Sequence, residues 1–274
     1  MKVSVVIPTI GSRNLKKTLN SICSSSLKVN EIIISLPQDS NFEKTIYSSY
    51  KNLKFHISEF KGQVVQRIEG FKIAKNDLVV QLDDDIVLEK TCLELMFEFM
   101  INNNNSCIAA HFYNIENNTS IYANLNQIKH KVFNQIKNGK NISPYGQITD
   151  SGFESYPIIT SLAIPFKTEW IPGGCVMHHR KNIVLENYFP FQGKAYSEDL
   201  FHSIELKNKN IELFYHPNAK AYLDVDKNKL SFKYLKKFIL DDMRIRKKLV
   251  RDNNLNIFRM YTVYVIKFIK YFFS

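Results

Sequence analysis

The stretch from Asp77 to Asp85 constrains the fold more than any other part of the chain. Its sequence, Asp-Leu-Val-Val-Gln-Leu-Asp-Asp-Asp, is a short apolar run followed by three consecutive carboxylates. The apolar run is typical of a strand buried on both faces. Open α/β sheets bind ligands at the carboxyl ends of their strands, and Mg²⁺ and Mn²⁺ prefer carboxylate oxygens. The stretch therefore indicates either a cation-binding strand end or a solvated acidic turn.

The residues before this stretch alternate between strand-like and helix-like patterns. Val/Ile-rich runs predict strands at residues 2–7 and 31–36, each followed by a proline, and a short third strand at 54–57. Apolar residues at helical spacing predict helices at 14–24 and 63–75. This order is the pattern of a parallel, doubly wound sheet.

After the acidic stretch the pattern is weaker. Residues 114–160 are Asn-rich and predict only loops and short helices. The clearer segments predict a helix at 89–101, a strand at 107–112, a glycine turn leading into a strand at 169–177, a helix at 198–207 with Ser197 as its N-cap, and a strand at 211–215 that ends at His216-Pro217.

Composition limits the class of protein. The chain has 274 residues, 45% of them hydrophobic and 23% charged, which favours one large globular domain or two joined halves. Its four cysteines are widely spaced and form no zinc motif, so they predict reduced thiols in a cytoplasmic protein. The first apolar run is too short for a signal peptide and is better explained as a strand.

Four motifs, spread over residues 2–222, together resemble the family 2 glycosyltransferases of the GT-A fold. They are the opening strand Val3 to Thr9; Arg67, Gly70, Ala74 and Asp77 ahead of Asp83; Trp170-Ile171-Pro172-Gly173-Gly174 followed by Arg180; and Glu198-Asp199. The resemblance implies a Rossmann-like mixed, mostly parallel sheet flanked by helices. It also implies donor contacts from Pro8, Thr9, Arg67, Asp83 and Asp84, an acceptor or diphosphate loop at Trp170, Gly173 and Gly174, and a catalytic acidic pair at Glu198 and Asp199.

The chemistry of sugar transfer explains these residue types. A leaving nucleoside diphosphate must be neutralised, and Mn²⁺ or Mg²⁺ held at Asp83 and Asp85 would serve as Lewis acid. The acceptor hydroxyl must lose a proton, and Asp199 is the expected general base. Direct attack from the opposite face inverts the anomeric centre, as the family does.

The chain also departs from the family. The family's Asp-Asp-Gly-Ser after the second strand is absent, and Asp39 is the candidate to replace its base-binding Asp. The family's late metal-binding His is absent after Pro217-Asn218-Ala219, where Asp224 or His216 could compensate.

Each assignment has a structural alternative. Arg67 could be a surface cation of a helix, Trp170 a core aromatic, and Glu198-Asp199 acidic residues in a helix's first turn. His178 and His179 are adjacent on a predicted strand and point to opposite faces, which favours a structural role over metal binding.

The last 48 residues form a basic tail. Residues 227–274 contain thirteen Lys or Arg and three Asp, so they hold +10 of the chain's net charge of +11. Phe258, Tyr261, Val265, Phe268 and Phe272 lie near one face of a predicted helix, while charged residues interrupt any run long enough to span a bilayer. The tail is expected either to lie on an anionic membrane or to pack on the catalytic body, and the two can coexist.

The sequence thus predicts a GT-A catalytic domain at 1–226, with a nucleotide-sugar half at 1–107 and an acceptor half at 108–226, and a basic amphipathic helical tail at 227–274. The expected enzyme is cytoplasmic and peripheral on the inner face of the membrane. It would transfer a sugar from a nucleotide donor to a glycan or lipid-linked acceptor in surface polysaccharide synthesis. A sugar nucleotidyltransferase is the alternative enzyme. A basic nucleic-acid-binding protein is the non-enzymatic alternative, although no nucleic-acid module is recognisable.

Overall fold

The computed structural model describes residues 1–122, 131–139, 146–157, 164–191, 195–223 and 232–272. The chain forms two compact units. Unit 1 contains residues 1–121 and 160–225, and unit 2 contains residues 122–159 and 226–274. The division of a catalytic domain into halves at residue 107 stays a prediction.

Unit 1 is built on one mixed sheet. Its described residues form β1 (Val3–Pro8), β2 (Glu31–Pro37), β3 (Leu53–Ser58), β4 (Leu78–Leu82), β5 (Ile86–Leu88), β6 (Ser106–Asn114), β7 (Phe166–Lys167), β8 (Cys175–His179) and β9 (Glu212–Leu223). The strand order is β3-β2-β1-β4-β8-β6-β9-β5, and β7 pairs with β9. The helices of both units, again among the described residues, are α1 (Lys16–Cys23), α2 (Gln63–Ile73), α3 (Cys92–Met100), α4 (Lys131–Asn138), α5 (Glu198–Asn208), α6 (Phe232–Asp252) and α7 (Ile257–Phe272), with two short 3₁₀ helices at Lys44–Tyr47 and Arg180–Asn182.

The first four strands in sheet order, β3, β2, β1 and β4, are all parallel. Every residue of β1, β2 and β4 is buried, which explains their continuous apolar sequences. The apolar side of α2 covers this half, where Phe71 and Ala74 pack in one cluster with Val6, Ile33 and Val79. The predicted class, a mostly parallel sheet flanked by helices with a C-terminal helical tail, is confirmed.

On its other side β4 pairs with β8, which runs antiparallel to it. In the antiparallel pair of β4 and β8, Leu82 at the end of β4 lies opposite Cys175 at the start of β8. The Gly173-Gly174 turn, which precedes Cys175, therefore lies beside the acidic triplet, which follows Leu82. The pairing of β4 with β8 thus brings the glycine turn and the acidic triplet together, although they are far apart in the sequence.

One predicted strand end is wrong. The strand expected to stop at His216-Pro217 continues to Leu223 as β9. Proline cannot donate to a ladder, and the structure accommodates it with an irregularity. Ala110 of β6 pairs with His216, but the next residue, His111, pairs with Lys220, so Pro217 falls in the bulged segment.

The start of α5 also differs from expectation. Ser197 occupies the N-cap position, but its backbone is left-handed (φ 56°) and its side chain makes no capping hydrogen bond. An N-cap side chain normally reaches the helix from an extended backbone conformation. The acidic pair Glu198-Asp199 therefore begins the helix directly after a sharp turn.

The described part of unit 2 consists of α4, α6, α7 and residues 146–157. Their shared core contains Phe153, Val250, Met260, Val263 and Tyr264. Residues 114–160 gave little pattern because part of this segment packs against helices about a hundred positions later in the chain.

Arg246 is the polar centre of unit 2 and is 4% exposed. Its guanidinium donates to the Gly152 carbonyl at 2.6 Å, pairs with Asp242 at 3.2 Å and lies 3.9 Å from the centre of the Phe153 ring. A buried cation requires such partners. One face of the basic tail is thus a packed helical surface within unit 2.

The opposite face of α7 is exposed. Phe258 is 80% exposed and Val265 57%, and Tyr261, Phe268 and Ile269 continue the same stripe. No described helix has the length and apolar character needed to cross a bilayer. The predicted aromatic stripe therefore lies on a surface helix.

Candidate active site

The acidic triplet Asp83 to Asp85 follows β4 and forms the turn into β5. The backbone N–H of Asp83 donates to the Gly174 carbonyl at 2.9 Å, which joins the triplet to the turn before β8. All three aspartates are partly buried and line a cleft. The rest of the cleft comes from the end of β1, the start of α2 and the segment before α5, and includes Pro8, Thr9, Arg13, Phe60, Lys61, Gln63, Phe189 and Phe191.

The end of β1 fixes the central aspartate. Thr9, next to Pro8, donates its hydroxyl to Asp84 Oδ2 at 2.5 Å. The amide of Gln66 donates to the carbonyl of Thr9 at 2.8 Å, which holds the strand end against α2. Burial raises the pKa of the Asp84 carboxyl, an effect that the Thr9 hydrogen bond opposes.

Asp83 is held from α2. Its Oδ1 accepts hydrogen bonds from Gln63 and from Arg67, each at 3.0 Å. Burial raises the pKa of Asp83 to about 6, and the nearby carboxylates of Glu198 and Asp85 add to this, while Arg67 opposes it. Asp83, Asp85 and Glu198 place three carboxylates around the one guanidinium of Arg67, and a bound cation would reduce this excess of negative charge.

Asp85 is the most solvent-accessible acidic group of the three, with 28% of its side chain exposed. Its Oδ2 lies 3.2 Å from the guanidinium of Arg13, whose side chain is itself 53% exposed. Sequence reasoning did not assign Arg13 to the acidic site. Its position just after the end of β1, at the sheet edge where β4 also ends, would have indicated that it lies near the triplet.

The glycine turn lies between two groups of carboxylates. A Cβ added to Gly173 would lie within 3.0 Å of Asp199 Oδ1 and at 3.0 Å from Glu198 Oε1, whereas one added to Gly174 would lie 3.5 Å from Asp83 Oδ2. Gln81, a fully buried amide in the apolar strand β4, donates to the Gly173 carbonyl and fixes the turn. Glycine is therefore required at residue 173 by the close approach of polar atoms.

The acidic pair at the start of α5 has two different environments. Glu198 is 4% exposed and accepts hydrogen bonds from Arg67 at 2.7 Å and from the Tyr188 hydroxyl at 3.1 Å. Asp199 is partly exposed, and its carboxylate forms no ion pair among the residues that the structure describes. Burial raises the pKa of Asp199 well above its usual range, and the carboxylates of Glu198 and Asp83 raise it further.

The other predicted site residues have different surroundings. Asp39 is exposed and pairs with Lys61 at 3.0 Å, and Lys61 itself lines the cleft. Trp170 is 6% exposed. His216 is buried in β9, where burial lowers its pKa to about 4, and Asp224 lies outside the described residues.

His178 and His179 are both buried in β8, where burial lowers the pKa of His178 well below its usual range. His178 lies against the rings of Phe71 and His202. His179 contacts the carbonyls of Met100 and Asn103 at 3.1 Å. Both side chains are packed among other residues, and the structural role that the sequence favours for them stays a prediction.

Three residues that hold the site were not foreseen. Gln63, Gln81 and Tyr188 each donate one hydrogen bond to a group named above. A buried glutamine inside an apolar strand was a usable signal for Gln81. Nothing in the sequence around Tyr188 distinguishes it from other aromatic residues.

The donor set fits a hard divalent ion that is completed by a substrate. No group of three or more His, Cys, Asp or Glu within the described ranges is arranged as a metal cage. Mg²⁺ is commonly bound through one or two carboxylates together with substrate phosphates, and Asp83 and Asp85 provide that number at the cleft.

The fold and the cleft define an α/β protein with an acidic ligand site at the carboxyl ends of its strands. Residues 4–164 match the model of glycosyl transferase family 2. The chain therefore belongs to glycosyl transferase family 2, and its fold is GT-A.

Solved structures give the same fold. The crystal structure of GalNAc-T7 with UDP, GalNAc and Mn²⁺ is similar with a TM-score of 0.61 at 15% identity, over 87% of this chain and 47% of that one. S. aureus TarS 1–349 in complex with UDP-GlcNAc is similar with a TM-score of 0.55 at 12% identity, over 96% of this chain and 70% of that one. This chain thus spans about half the length of the GalNAc-T7 chain. No curated protein sequence matches it.

Proposed function

We propose that this protein is an inverting, metal-dependent glycosyltransferase. It moves a sugar from a nucleotide-diphosphate sugar to a glycan or lipid-linked acceptor in surface polysaccharide synthesis. The observation that carries the proposal is that the Asp83–Asp85 turn and the Glu198-Asp199 pair lie on either side of the Gly173-Gly174 turn. Family membership favours this reaction over nucleotidyl transfer or nucleic-acid binding.

UDP is the nucleotide that we propose for the donor. The structures of GalNAc-T7 and TarS that share the fold contain UDP and UDP-GlcNAc respectively. In this chain the donor would occupy the cleft between Pro8-Thr9 and α2, with Asp84 and Asp39 as candidate contacts to its nucleoside.

Asp83 and Asp85 would hold Mn²⁺ or Mg²⁺ together with oxygens of the donor diphosphate. When bound, the ion supplies Lewis acidity that stabilises the leaving diphosphate. The protein's own contribution is to orient the acidic turn before the donor arrives: Arg67 and Gln63 hold Asp83, and Thr9 holds Asp84.

Asp199 would act as general base. It accepts the proton of the acceptor hydroxyl as that oxygen bonds to the anomeric carbon, while the bond from the anomeric carbon to the diphosphate oxygen breaks. Attack opposite to the leaving group inverts the anomeric configuration. Asp199 is suited to this because it is the member of the acidic pair that lacks an ion pair among the described residues.

A donor screen tests the proposal. We expect the wild-type protein to hydrolyse or transfer from at least one nucleotide sugar in the presence of Mn²⁺. Asp199→Asn should lower turnover by about 10²–10⁴-fold with UDP affinity retained. Asp85→Asn should remove the Mn²⁺ dependence of UDP binding in calorimetry. Turnover by Asp199→Asn within a few fold of wild type would exclude the base assignment.

We also propose that the exposed apolar stripe of α7 docks on an anionic bilayer, near a lipid-linked acceptor. Aromatic and aliphatic side chains would enter the interface, and exposed cations of α6, such as Arg244, Lys248 and Arg251, would each contribute about 1 kcal/mol if they lie near the lipid surface.

Flotation with phosphatidylglycerol vesicles tests this docking. Wild-type protein should float at low salt and less at high salt, and the double variant Phe258→Ser, Val265→Ser should float less at both. Ile46→Ser, which changes an exposed isoleucine of unit 1, is the matched control and should float as the wild type does. Wild-type protein that ignores these vesicles at low salt would exclude membrane docking.

A further inference from the structure

One buried guanidinium joins the two halves of the proposed active site. Arg67, on α2, is completely buried. One of its terminal nitrogens donates to Asp83 Oδ1 at 3.0 Å and the other to Glu198 Oε1 at 2.7 Å. Arg67 thus connects the acidic turn after β4 with the first residue of α5, which is 131 positions away in the chain.

This environment differs from that of a donor contact. Arg67 has no accessible surface, and the cleft is lined by its sequence neighbours Gln66 and Ile68 and not by Arg67 itself. Its Nε has no hydrogen-bond partner among the described residues, so its strong interactions are those with the two carboxylates and Tyr188. A planar guanidinium suits this task because its fork can hold two carboxylates at once.

Arg67 and Tyr188 together occupy both oxygens of Glu198. Oε1 accepts from Arg67, and Oε2 accepts from the Tyr188 hydroxyl at 3.1 Å. Glu198 is consequently engaged as an acceptor within the protein. Its neighbour Asp199 forms no ion pair with a described residue, shares a side-chain hydrogen bond only with Glu198 in that part of the chain, and faces the Gly173 turn. The acidic pair therefore contains one fixed carboxylate and one that is available to a substrate.

We propose that Arg67 and Glu198 are positioning residues that couple the donor side of the site to the base. Arg67 fixes the separation between Asp83 and Glu198, and Glu198 fixes the first turn of α5, so that Asp199 is held in one orientation. The inference rests on the proposed function, because it assigns Asp83 to the donor and metal side and Asp199 to proton removal.

Arg67→Lys provides the main test. Lysine keeps the charge but has a single nitrogen and cannot donate to both carboxylates in the geometry of the guanidinium. We expect kcat to fall by about 10- to 100-fold, on the scale of a misplaced reactive group. The affinity for UDP with Mn²⁺, measured by calorimetry, should remain within about threefold. An affinity loss of more than tenfold with kcat retained would identify a donor contact and overturn the inference.

Glu198→Gln and Tyr188→Phe extend the test. Glu198→Gln removes the charge that pairs with Arg67, and Tyr188→Phe removes one hydrogen bond to Glu198; both should lower kcat without weakening UDP binding. The Arg67→Gln, Glu198→Gln double variant removes both members of the pair. Its kcat relative to wild type should exceed the product of the relative kcat values of Arg67→Gln and Glu198→Gln, because the effects of interacting residues are non-additive. A relative kcat equal to that product would overturn the coupling.

Two failures can be distinguished. A wild-type protein that turns over no nucleotide sugar overturns the proposed function, and the inference with it. A wild-type protein that turns over a donor while Arg67→Lys retains full kcat overturns the inference alone.

Discussion

Gly173→Ala tests whether the glycine turn sets the position of the base. The new methyl group would lie within 3.0 Å of Asp199 Oδ1 and 2.9 Å from Gln81 Nε2, whereas ordinary van der Waals contact begins at 3.4 Å. The Asp199 oxygen would therefore have to retreat by more than 0.4 Å, the difference between these limits. The backbone itself permits alanine, because Gly173 has no positive φ.

The expected cost follows from the tolerance of catalytic geometry. Reactive groups must be held to within about 0.5 Å, and a misplacement of about 1 Å costs roughly 10²-fold in rate. We expect kcat to fall between about 10- and 100-fold, equivalent to about 1.4–2.7 kcal/mol in the barrier. UDP affinity with Mn²⁺ should change little, because the clash lies on the Asp199 side of the turn.

A double-mutant cycle with Asp199→Asn separates this mechanism from general damage. If Gly173→Ala acts through Asp199, it should have little further effect on the residual activity of Asp199→Asn. Circular dichroism and thermal unfolding show whether each variant is folded. Turnover by folded Gly173→Ala within twofold of wild type, or a full additional loss in the Asp199→Asn background, would refute the reasoning.

The remaining predictions concern pH and the core of unit 2. His202 is 1% exposed, and burial lowers its pKa to about 3. As the pH falls, His202 is therefore protonated at a higher pH in the unfolded chain than in the folded protein. The stability that the neutral His202 provides is complete above about pH 6.5 and decreases toward pH 3, by about 2 kcal/mol at pH 5. The free energy of unfolding of His202→Phe, measured with urea, should therefore change less between pH 7 and pH 5 than that of the wild type. An equal change in both proteins would contradict this. Burial raises the pKa of Asp199, so the acid-side fall of kcat should occur at a higher pH than for a free aspartate, whose pKa is about 3.9. An acid limb centred near pH 4 in the pH profile would contradict the assignment of Asp199 as the base. Arg246→Met should lower the free energy of unfolding by about 3–5 kcal/mol, because it removes the guanidinium that pairs with the buried Asp242. Urea unfolding that matches the wild type would exclude an essential role for this pair.

The sequence predicts the parallel half of the sheet well. Strands β1, β2 and β4 are buried on both faces, so their continuous apolar runs appear directly in the sequence. The three-residue strand β5 was missed because it is too short for a pattern to emerge and exists through its pairing with β9. The full length of β9 was missed because the proline at 217 normally ends a strand, and only the bulge explains its tolerance.

The sequence predicts which residues form the site, but not how their side chains contact one another. The Asp triplet and Glu198-Asp199 follow from their chemistry and from the family resemblance. The different environments of Glu198 and Asp199 depend on Arg67, which is 131 positions from Glu198 in the chain, and on Tyr188, which reaches Glu198 across a ten-residue separation. Such partners are determined by tertiary packing, which leaves no local pattern.

Unit 2 is assembled from two segments, and this affects how the chain can fold during synthesis. Arg246 donates to the carbonyl of Gly152, which precedes it by 94 residues. At a translation rate of about 5–20 residues per second, the segment around Gly152 waits roughly 5–20 seconds for this partner. During that interval Phe153 lacks α6 and α7, which supply Val250, Met260, Val263 and Tyr264 to its cluster in the finished protein. Nascent chains that stall before α6 therefore present an incompletely covered apolar cluster, which favours aggregation and capture by chaperones.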